Sequence, residues 1–151
     1  MFVGQHHHTL DPKKRLVIPS KFRPFFPSEK AVYVTFKTVE YSQLTTNFLT
    51  LYPPDAWYKQ ASLVQEATAN REEAEWYQRK ITSDTEYCTI DAQWRVIIPL
   101  RLINSAELKR DIMIIGMGNR IEVWDAPKWQ AVAEWLNQQA TTLSRAIYPK
   151  S

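Results

Sequence analysis

A motif of eleven residues occurs twice in this chain, at residues 9–19 and again at residues 89–99. Both copies read Thr, an aliphatic residue, Asp, three variable residues, Arg, three aliphatic residues and Pro, and the copies lie 80 residues apart. Self-similarity at a fixed spacing constrains the architecture more than any local pattern does. Two copies are too few for a solenoid, so the repeat predicts a duplicated unit folded about a pseudo-twofold axis.

The segments that follow the motif are also related between the two copies. Residues 31–36 and 111–115 are both short runs rich in β-branched residues, at the same spacing as the motif. Residues 51–57 and 123–129 are similar too, but their spacing is 72. The first copy must therefore contain eight extra residues between these landmarks, and we expect them within residues 38–46.

Each motif is expected to lead from a loop into a short strand. The aliphatic residues 16–18 and 96–98 predict strands that are buried on both faces or nearly so. Pro12 fixes φ and has no N–H to donate, which favours a loop between the motif Asp and Arg. A short helix should follow each motif Pro, the first with Ser20 as its N-cap and the second over residues 100–108.

The rest of the pattern predicts further strands and helices. Two strands are expected after each short helix, at residues 31–37, 47–52, 112–116 and 120–124. Residues 56–82 are predicted to be helical with a break near Asn70. Apolar residues three or four apart from Trp129 to Ile147 predict an amphipathic C-terminal helix. The fold class that follows is α+β.

Composition excludes several classes of protein. Cys88 is the single cysteine, so no intramolecular disulfide forms, and we expect it to be a small buried residue. No apolar run approaches the ~18–20 residues of a transmembrane helix. The N-terminus lacks the basic-then-apolar pattern of a signal peptide. These features favour a cytoplasmic protein.

Positive charge is concentrated at the two motifs. The formal net charge is only +3, but residues 1–30 carry +4, residues 61–90 carry −3 and residues 91–120 carry +2. Basic residues gathered at each repeat start favour a polyanionic partner. The alternative is that these basic loops are simply solvated.

Three consecutive histidines precede the first motif. On a strand, His6 and His8 would lie on the same face. No nearby Cys, Asp or Glu completes a metal site. We therefore predict a solvated strand, with no metal ligand and no cofactor.

Several segments together resemble the MraZ family of bacterial transcriptional regulators, in the AbrB/SpoVT superfamily of swapped-hairpin barrels. The segments are Met1-Phe2-x-Gly4, Leu10-Asp11-x-x-x-Arg15-x-x-x-Pro19, Ile90-Asp91-x-x-x-Arg95-x-x-x-Pro99 and Gly116-x-Gly118-Asn119-x-x-Glu122-x-Trp124. The resemblance covers nearly the whole chain. It implies two tandem AbrB-like swapped-hairpin β-barrel repeats with pseudo-twofold symmetry and flanking helices.

This fold divides the chain into four expected segments. The first repeat is residues 1–57, a helical connector is 58–85, the second repeat is 86–129 and the C-terminal helix is 130–151. The family usually has Gly just before each motif Arg, where this chain has Lys14 and Trp94. Glycine at such a position favours a turn with positive φ, so the family's pattern alone does not predict the geometry of these two loops.

The residues predict binding of double-stranded DNA. Five cations lie within residues 13–23; such charge binds phosphates, and Arg can also donate two hydrogen bonds to guanine. The predicted DNA-binding residues are Arg15, Lys13, Lys14, Lys21, Arg23, Arg95 and Arg101, with Asp11, Asp91, Pro19 and Pro99 shaping the motif. The alternative is that each motif Arg only pairs with its own Asp across the turn. Trp94 could stack on a base or pack at a subunit contact.

The resemblance implies further properties of the regulator. Its targets would be the cell-division and cell-wall gene cluster, including its own promoter, through short direct repeats of DNA in the nucleoid. It would form a ring-like homo-oligomer of about eight subunits. We expect Trp94, Leu100 and Ile103 to contribute the surface that joins them.

Two other functions fit parts of the sequence. A DNA-binding antitoxin of the same superfamily is the nearer alternative. The remote one is an aspartyl hydrolase in which Asp11 and Asp91 share a proton. That site needs small residues after each Asp, and here Pro12-Lys13 and Ala92-Gln93 follow. No catalytic residue is therefore predicted.

Overall fold

The computed structural model describes residues 1–66 and 71–149, and these form eight strands, four α-helices and one 3-10 helix. The strands are β1 Gln5–Thr9, β2 Arg15–Val17, β3 Ala31–Tyr41, β4 Leu44–Tyr52, β5 Glu86–Thr89, β6 Arg95–Ile97, β7 Asp111–Gly116 and β8 Ile121–Asp125. The helices are the 3-10 helix Ser20–Phe25, α1 Pro54–Gln65, α2 Arg71–Asp84, α3 Leu100–Ser105 and α4 Ala126–Ile147. The predicted α+β class is confirmed. The predicted helix break near Asn70 lies outside the described residues.

Strands of the two copies alternate within one antiparallel sheet. Its order is β1-β7-β8-β4-β3-β5. In the two copies β1 is equivalent to β5, β3 to β7 and β4 to β8. The order is therefore unchanged when it is reversed and each strand is replaced by its equivalent. β1 of the first copy pairs with β7 of the second, and β5 of the second pairs with β3 of the first. Each copy therefore completes the other's sheet, and the two share one core as expected.

A pseudo-twofold axis can be located from the strand register. In the centre of the sheet, Thr50 of β4 lies opposite its own equivalent, Glu122 of β8. In a separate two-stranded ribbon, Leu16 of β2 lies opposite its equivalent, Val96 of β6. The axis therefore passes through both pairs and relates the two ends of the β2–β6 ribbon.

The main core lies between the large sheet and the β2–β6 ribbon. Leu16 and Val96 are fully buried in it, but Val17 is 37% exposed and Ile97 is 65% exposed. The prediction that both strands are buried on both faces was therefore wrong. An antiparallel pair can keep one face in solvent, and here that face carries the motif arginines.

Helices cover the opposite face of the large sheet. α1 packs through Trp57, which stacks on Tyr33 of β3. α4 packs through Trp129 against Trp124 of β8, which stacks on Phe48 of β4. Two aromatic layers, one under each helix, hold these helices on the sheet.

The eight extra residues lengthen the β3–β4 hairpin. Its strands are paired out to Tyr41 and Leu44, and Ser42 and Gln43 form the turn with positive φ. The expected position within residues 38–46 is confirmed. Tyr41 near the tip lies 5.5 Å from the ring of Trp135 on α4, so the longer hairpin supports the C-terminal helix.

The short helices differ in detail from their prediction. The first is a 3-10 helix whose N-cap is Pro19, and no side chain caps it, so Ser20 is not the N-cap. α3 ends at Ser105, earlier than predicted, with Leu102 and Ile103 buried. Cys88 is buried as predicted, and burial raises the pKa of its thiol to about 11.

The N-terminus is held to the second copy through glycines. Phe2 and Gly118 exchange two backbone hydrogen bonds of 2.7 and 2.8 Å, and Gly116 donates to the carbonyl of Gly4 at 2.8 Å. A Cβ at Gly116 would lie 2.3 Å from the backbone nitrogen of Val3. Gly118 has a φ of 79° but open space around its Cα.

We expect Gly116→Ala to destabilise the protein by on the order of 2–3 kcal/mol, because backbone must move to admit the methyl group. The matched variant Gly118→Ala should lose only about 1 kcal/mol, since it introduces left-handed strain without a clash. Urea unfolding at neutral pH measures both. Equal losses would contradict the close approach at Gly116.

Candidate nucleic-acid interface

Each motif forms the same turn around its aspartate. In the first copy, Asp11 Oδ1 accepts hydrogen bonds from the backbone N–H groups of Lys13 and Arg15, both at 2.9 Å. Asp11 Oδ2 accepts one from the Arg15 Nε. The backbone bond from Arg15 is the main cause of a lowered pKa of Asp11, so the carboxylate stays ionised.

The second turn repeats this arrangement. Asp91 Oδ1 accepts from the N–H groups of Gln93 and Arg95 at 2.9 Å, and Oδ2 accepts from Arg95 Nε at 2.7 Å. The pKa of Asp91 is lowered, first by the backbone bond from Arg95. The pairing of each motif Arg with its own Asp, which the alternative interpretation described, is therefore present in both copies.

The residue before each motif Arg has a left-handed backbone. Lys14 has φ of 60° and Trp94 has φ of 62°. The backbone N–H of each closes a turn on the carbonyl of the motif Asp, at 2.9 and 3.0 Å. This chain therefore forms a positive-φ turn at both positions without glycine. The cost is about 1–2 kcal/mol of strain at each position.

Each turn is hydrogen-bonded to the other copy through the carbonyl of the residue before its motif Arg. Ile18 donates its backbone N–H to the Trp94 carbonyl at 2.8 Å, and Ile98 donates to the Lys14 carbonyl at 3.1 Å. The first turn thus lies at one end of the β2–β6 ribbon and the second turn at the other.

The ribbon presents a face that is open to solvent. Arg15 pairs in register with Ile97, and Val17 with Arg95. Because side chains alternate along a strand, these four residues share the side opposite to the buried Leu16 and Val96. We call Arg15, Val17, Arg95 and Ile97 the ribbon face.

The two motif arginines differ in how much of their guanidinium is free. Asp11 holds Arg15 through Nε, and in the described parts of the chain no hydrogen bond uses its two terminal nitrogens. Arg95 also donates from one terminal nitrogen to Gln93 Oε1. Arg15 is therefore the better placed to offer two parallel donors.

The other predicted cations divide between the ends of the ribbon. Lys13 and Lys14 are exposed in the first turn, and Lys21 is exposed on the 3-10 helix. Arg23 lies beside the second turn instead, because its Nε donates to the Ile18 carbonyl at 3.1 Å. The sequence-based grouping of Arg23 with Arg15 was wrong. That grouping did not take into account that β2 pairs with β6 of the second copy, which brings the segment after β2 to the second turn.

Arg101 is held by acidic neighbours. It donates from a terminal nitrogen to Glu86 Oε1 at 2.8 Å and to the Asp84 carbonyl at 3.3 Å. Its charge is therefore partly balanced within the chain.

One cation near the second turn was not singled out from the sequence. Lys30 Nζ lies 4.5 Å from the ring centre of Trp94. The carbonyl of Lys30 accepts from Ile90 at 2.8 Å, and that of its equivalent, Arg110, accepts from Leu10 at 2.9 Å. The signal available in the sequence was a basic residue before the first hairpin strand in both copies.

The histidines and the aspartates do not form a catalytic or metal centre in the parts of the chain described. His6 and His8 share the half-buried face of β1, and the ring of His6 packs edge-on against Phe22 at 4.9 Å. No cluster of metal-binding side chains occurs within residues 1–66 and 71–149. Asp11 and Asp91 each bind their own turn, at opposite ends of the ribbon. None of the helices described is long and apolar enough to cross a bilayer.

Known proteins are similar to this chain over most of its length. The family model described as "MraZ protein, putative antitoxin-like" matches residues 1–80 and again residues 81–147. Proteins named "Transcriptional regulator MraZ" are similar over most of their length. The one from Acidithiobacillus ferrooxidans is 31% identical over 91% of both chains. That from Pediococcus pentosaceus is 31% identical over 89% of this chain and 87% of its own. That from Finegoldia magna is 33% identical over 86% and 85%. The chain therefore belongs to the MraZ family.

Proposed function

We propose that this protein is a DNA-binding transcriptional regulator that contacts DNA with the β2–β6 ribbon. The observation that carries the proposal is the free guanidinium end of Arg15, aimed from a solvent-facing ribbon by an ionised aspartate. Relatives that share most of the chain are named transcriptional regulators, which supports the same reading.

The β2–β6 pair is an antiparallel two-stranded ribbon, a kind of element that the major groove admits. That groove accepts a two-stranded β-ribbon, and an Arg with two free terminal donors can bind guanine O6 and N7 together. Because Asp11 already fixes the Arg15 side chain, less conformational entropy is lost on binding. Val17 and Ile97 beside the arginines offer apolar contacts to thymine methyl groups.

The turn cations supply contacts that do not depend on sequence. Lys13 and Lys14 at the first turn are exposed, and so is Lys21 on the 3-10 helix that follows β2. Such side chains neutralise phosphates and add salt-dependent affinity. We propose that Arg15 and Arg95 read bases and that these lysines hold the duplex in place. Arg101, paired with Glu86, would contribute least.

The proposed targets are short direct repeats in the promoter of the cell-division and cell-wall gene cluster, including the protein's own promoter. The protein would act in the cytoplasm, at the nucleoid. An antitoxin-like role, which the family's description names, is the alternative. Co-purification of a stoichiometric toxin that the protein neutralises would favour it.

We also propose that several copies, about eight, join head-to-tail in a ring. One ribbon covers few base pairs, so linked copies would be needed for tight and selective binding. Ile103 is 2% exposed and cannot contribute to a joining surface, although Leu100 is 59% exposed. A better candidate is the end of α4, where residues 140–149 are all exposed and include Leu143, Ile147 and Tyr148.

Arg15→Ala should damage specific binding most, by about 1–3 kcal/mol, because it removes a base contact. Arg95→Ala should lose less, since Gln93 already occupies one of its donors. Lys13→Ala should weaken binding to all sequences alike. Fluorescence anisotropy with a promoter duplex and a scrambled duplex separates these effects. Equal promoter binding by folded Arg15→Ala and the unsubstituted protein would contradict the assignment.

Asp11→Asn should weaken promoter binding about tenfold without unfolding the protein. The asparagine oxygen can still accept the turn N–H groups, but the charged bond that aims Arg15 is lost. Asp91→Asn is the matched control and should lose less, because Gln93 still holds Arg95. The same titrations measure both. A larger loss in Asp91→Asn would reverse the proposed ranking of the two ends.

The unsubstituted protein should scatter light as a multimer at micromolar concentration, and its affinity should rise with one, two and three direct repeats. Leu143→Ser with Ile147→Ser should reduce the assembly and remove that gain, because it makes the joining surface polar. Leu63→Ser is the control, since Leu63 is 64% exposed on α1. A monomeric unsubstituted protein would rule out the ring.

A further inference from the structure

Trp94 of the second turn brings together two cations from the first copy. Lys30 Nζ lies 4.5 Å from the centre of the Trp94 ring, and the Arg23 Cζ lies 5.7 Å from it. Phe26 packs against the same ring at 5.9 Å with an interplanar angle of 61°. A cation within about 6 Å of an indole face is attracted by its quadrupole.

Arg23 is held in this position by contacts that link it to Trp94 through Ile18. Its Nε donates to the Ile18 carbonyl at 3.1 Å, and Ile18 donates its own N–H to the Trp94 carbonyl at 2.8 Å. The guanidinium then lies at the Trp94 ring. This ordering goes beyond what loose packing of a surface arginine requires.

The two cations keep their charge available. Within the described residues neither Arg23 nor Lys30 makes an ion pair, whereas Arg101, Lys80 and Lys128 each bind an acidic side chain. A neutral ring holds a cation without cancelling its charge. Two positive groups on one ring therefore attract an anion more strongly than either group alone.

The second turn needs cations from elsewhere. Its own residues between Asp91 and Arg95 are Ala92, Gln93 and Trp94, all uncharged, whereas the first turn has Lys13 and Lys14. Arg23 and Lys30 reach it because the strands of the two copies are exchanged.

We propose that Arg23 and Lys30, held on the Trp94 ring, form a phosphate-binding point for the DNA backbone at the second end of the ribbon. The inference rests on the proposed function, since it names the ligand of that surface. Trp94 is a positioning residue: it carries no charge and places two that do.

Salt dependence of binding tests the assignment directly. The logarithm of the binding constant falls with the logarithm of salt concentration by about 0.9 for each phosphate neutralised on duplex DNA. Lys30→Gln and Arg23→Gln should each reduce that slope by up to about 0.9, on promoter and scrambled DNA alike. Arg23→Lys should keep most of it. Lys59→Gln, exposed on α1, is the control and should leave the slope unchanged.

Trp94→Leu separates positioning from charge. It removes the aromatic face but no charge, so a reduced slope would support a role for the ring, and Trp94→Phe should restore most of it. Circular dichroism and urea midpoints identify variants that fold. A slope unchanged in the folded double variant Arg23→Gln, Lys30→Gln overturns the inference.

The proposed function and this inference fail in different ways. If the unsubstituted protein binds no duplex, both are wrong. If it binds the promoter and Arg15→Ala abolishes the preference, while the double variant keeps the full slope, only the phosphate-binding point is wrong.

Discussion

The exchange of strands between the two copies is the constraint on which the rest of the structure depends. β1 and β5 lie at the edges of the sheet, and within the described residues each pairs with a single strand, which belongs to the other copy. The ribbon is likewise made of one strand from each copy. Neither copy could satisfy its backbone hydrogen bonds alone, so the repeat behaves as one cooperative unit. The two motif turns are therefore held at a fixed separation.

The fixed position of the turns explains how they tolerate an unfavourable backbone conformation. Lys14 and Trp94 occupy left-handed conformations that glycine would adopt more easily. The three hydrogen bonds to the carboxylate of each motif aspartate and the backbone bond from Ile18 or Ile98 over-determine the turn. Strain of this kind persists where the surroundings fix the geometry, and such sites are often functional. In return, each position gains a side chain: a cation in one turn, and an aromatic ring that holds cations in the other.

The sequence predicted the features that follow from the repeat. It did not predict the contacts that form where strands of one copy pair with strands of the other. The duplication, the α+β class, the longer first hairpin and the Asp–Arg turns all follow from local pattern and spacing. Arg23 was assigned to the wrong turn because its neighbours in space come from a segment some 70 residues away. The exposed side of β2 and β6 was missed because a three-residue aliphatic run has no period to indicate a solvent face. Lys30 and Trp94 meet only through tertiary structure.

The unlike ends of the ribbon give the molecule a direction. A dimer of identical units would contact DNA through two equal ends and would suit a palindrome. Here one end has Lys13, Lys14 and Arg15, whose terminal guanidinium nitrogens make no hydrogen bond within the described residues. The other end has Gln93 and Trp94, with two cations from the first copy at the Trp94 ring. Because the two units belong to one chain and differ in sequence, the two ends of the ribbon need not be identical. If this surface binds DNA as proposed, the box that it contacts is asymmetric, and the orientation of that box on the chromosome would be part of the signal.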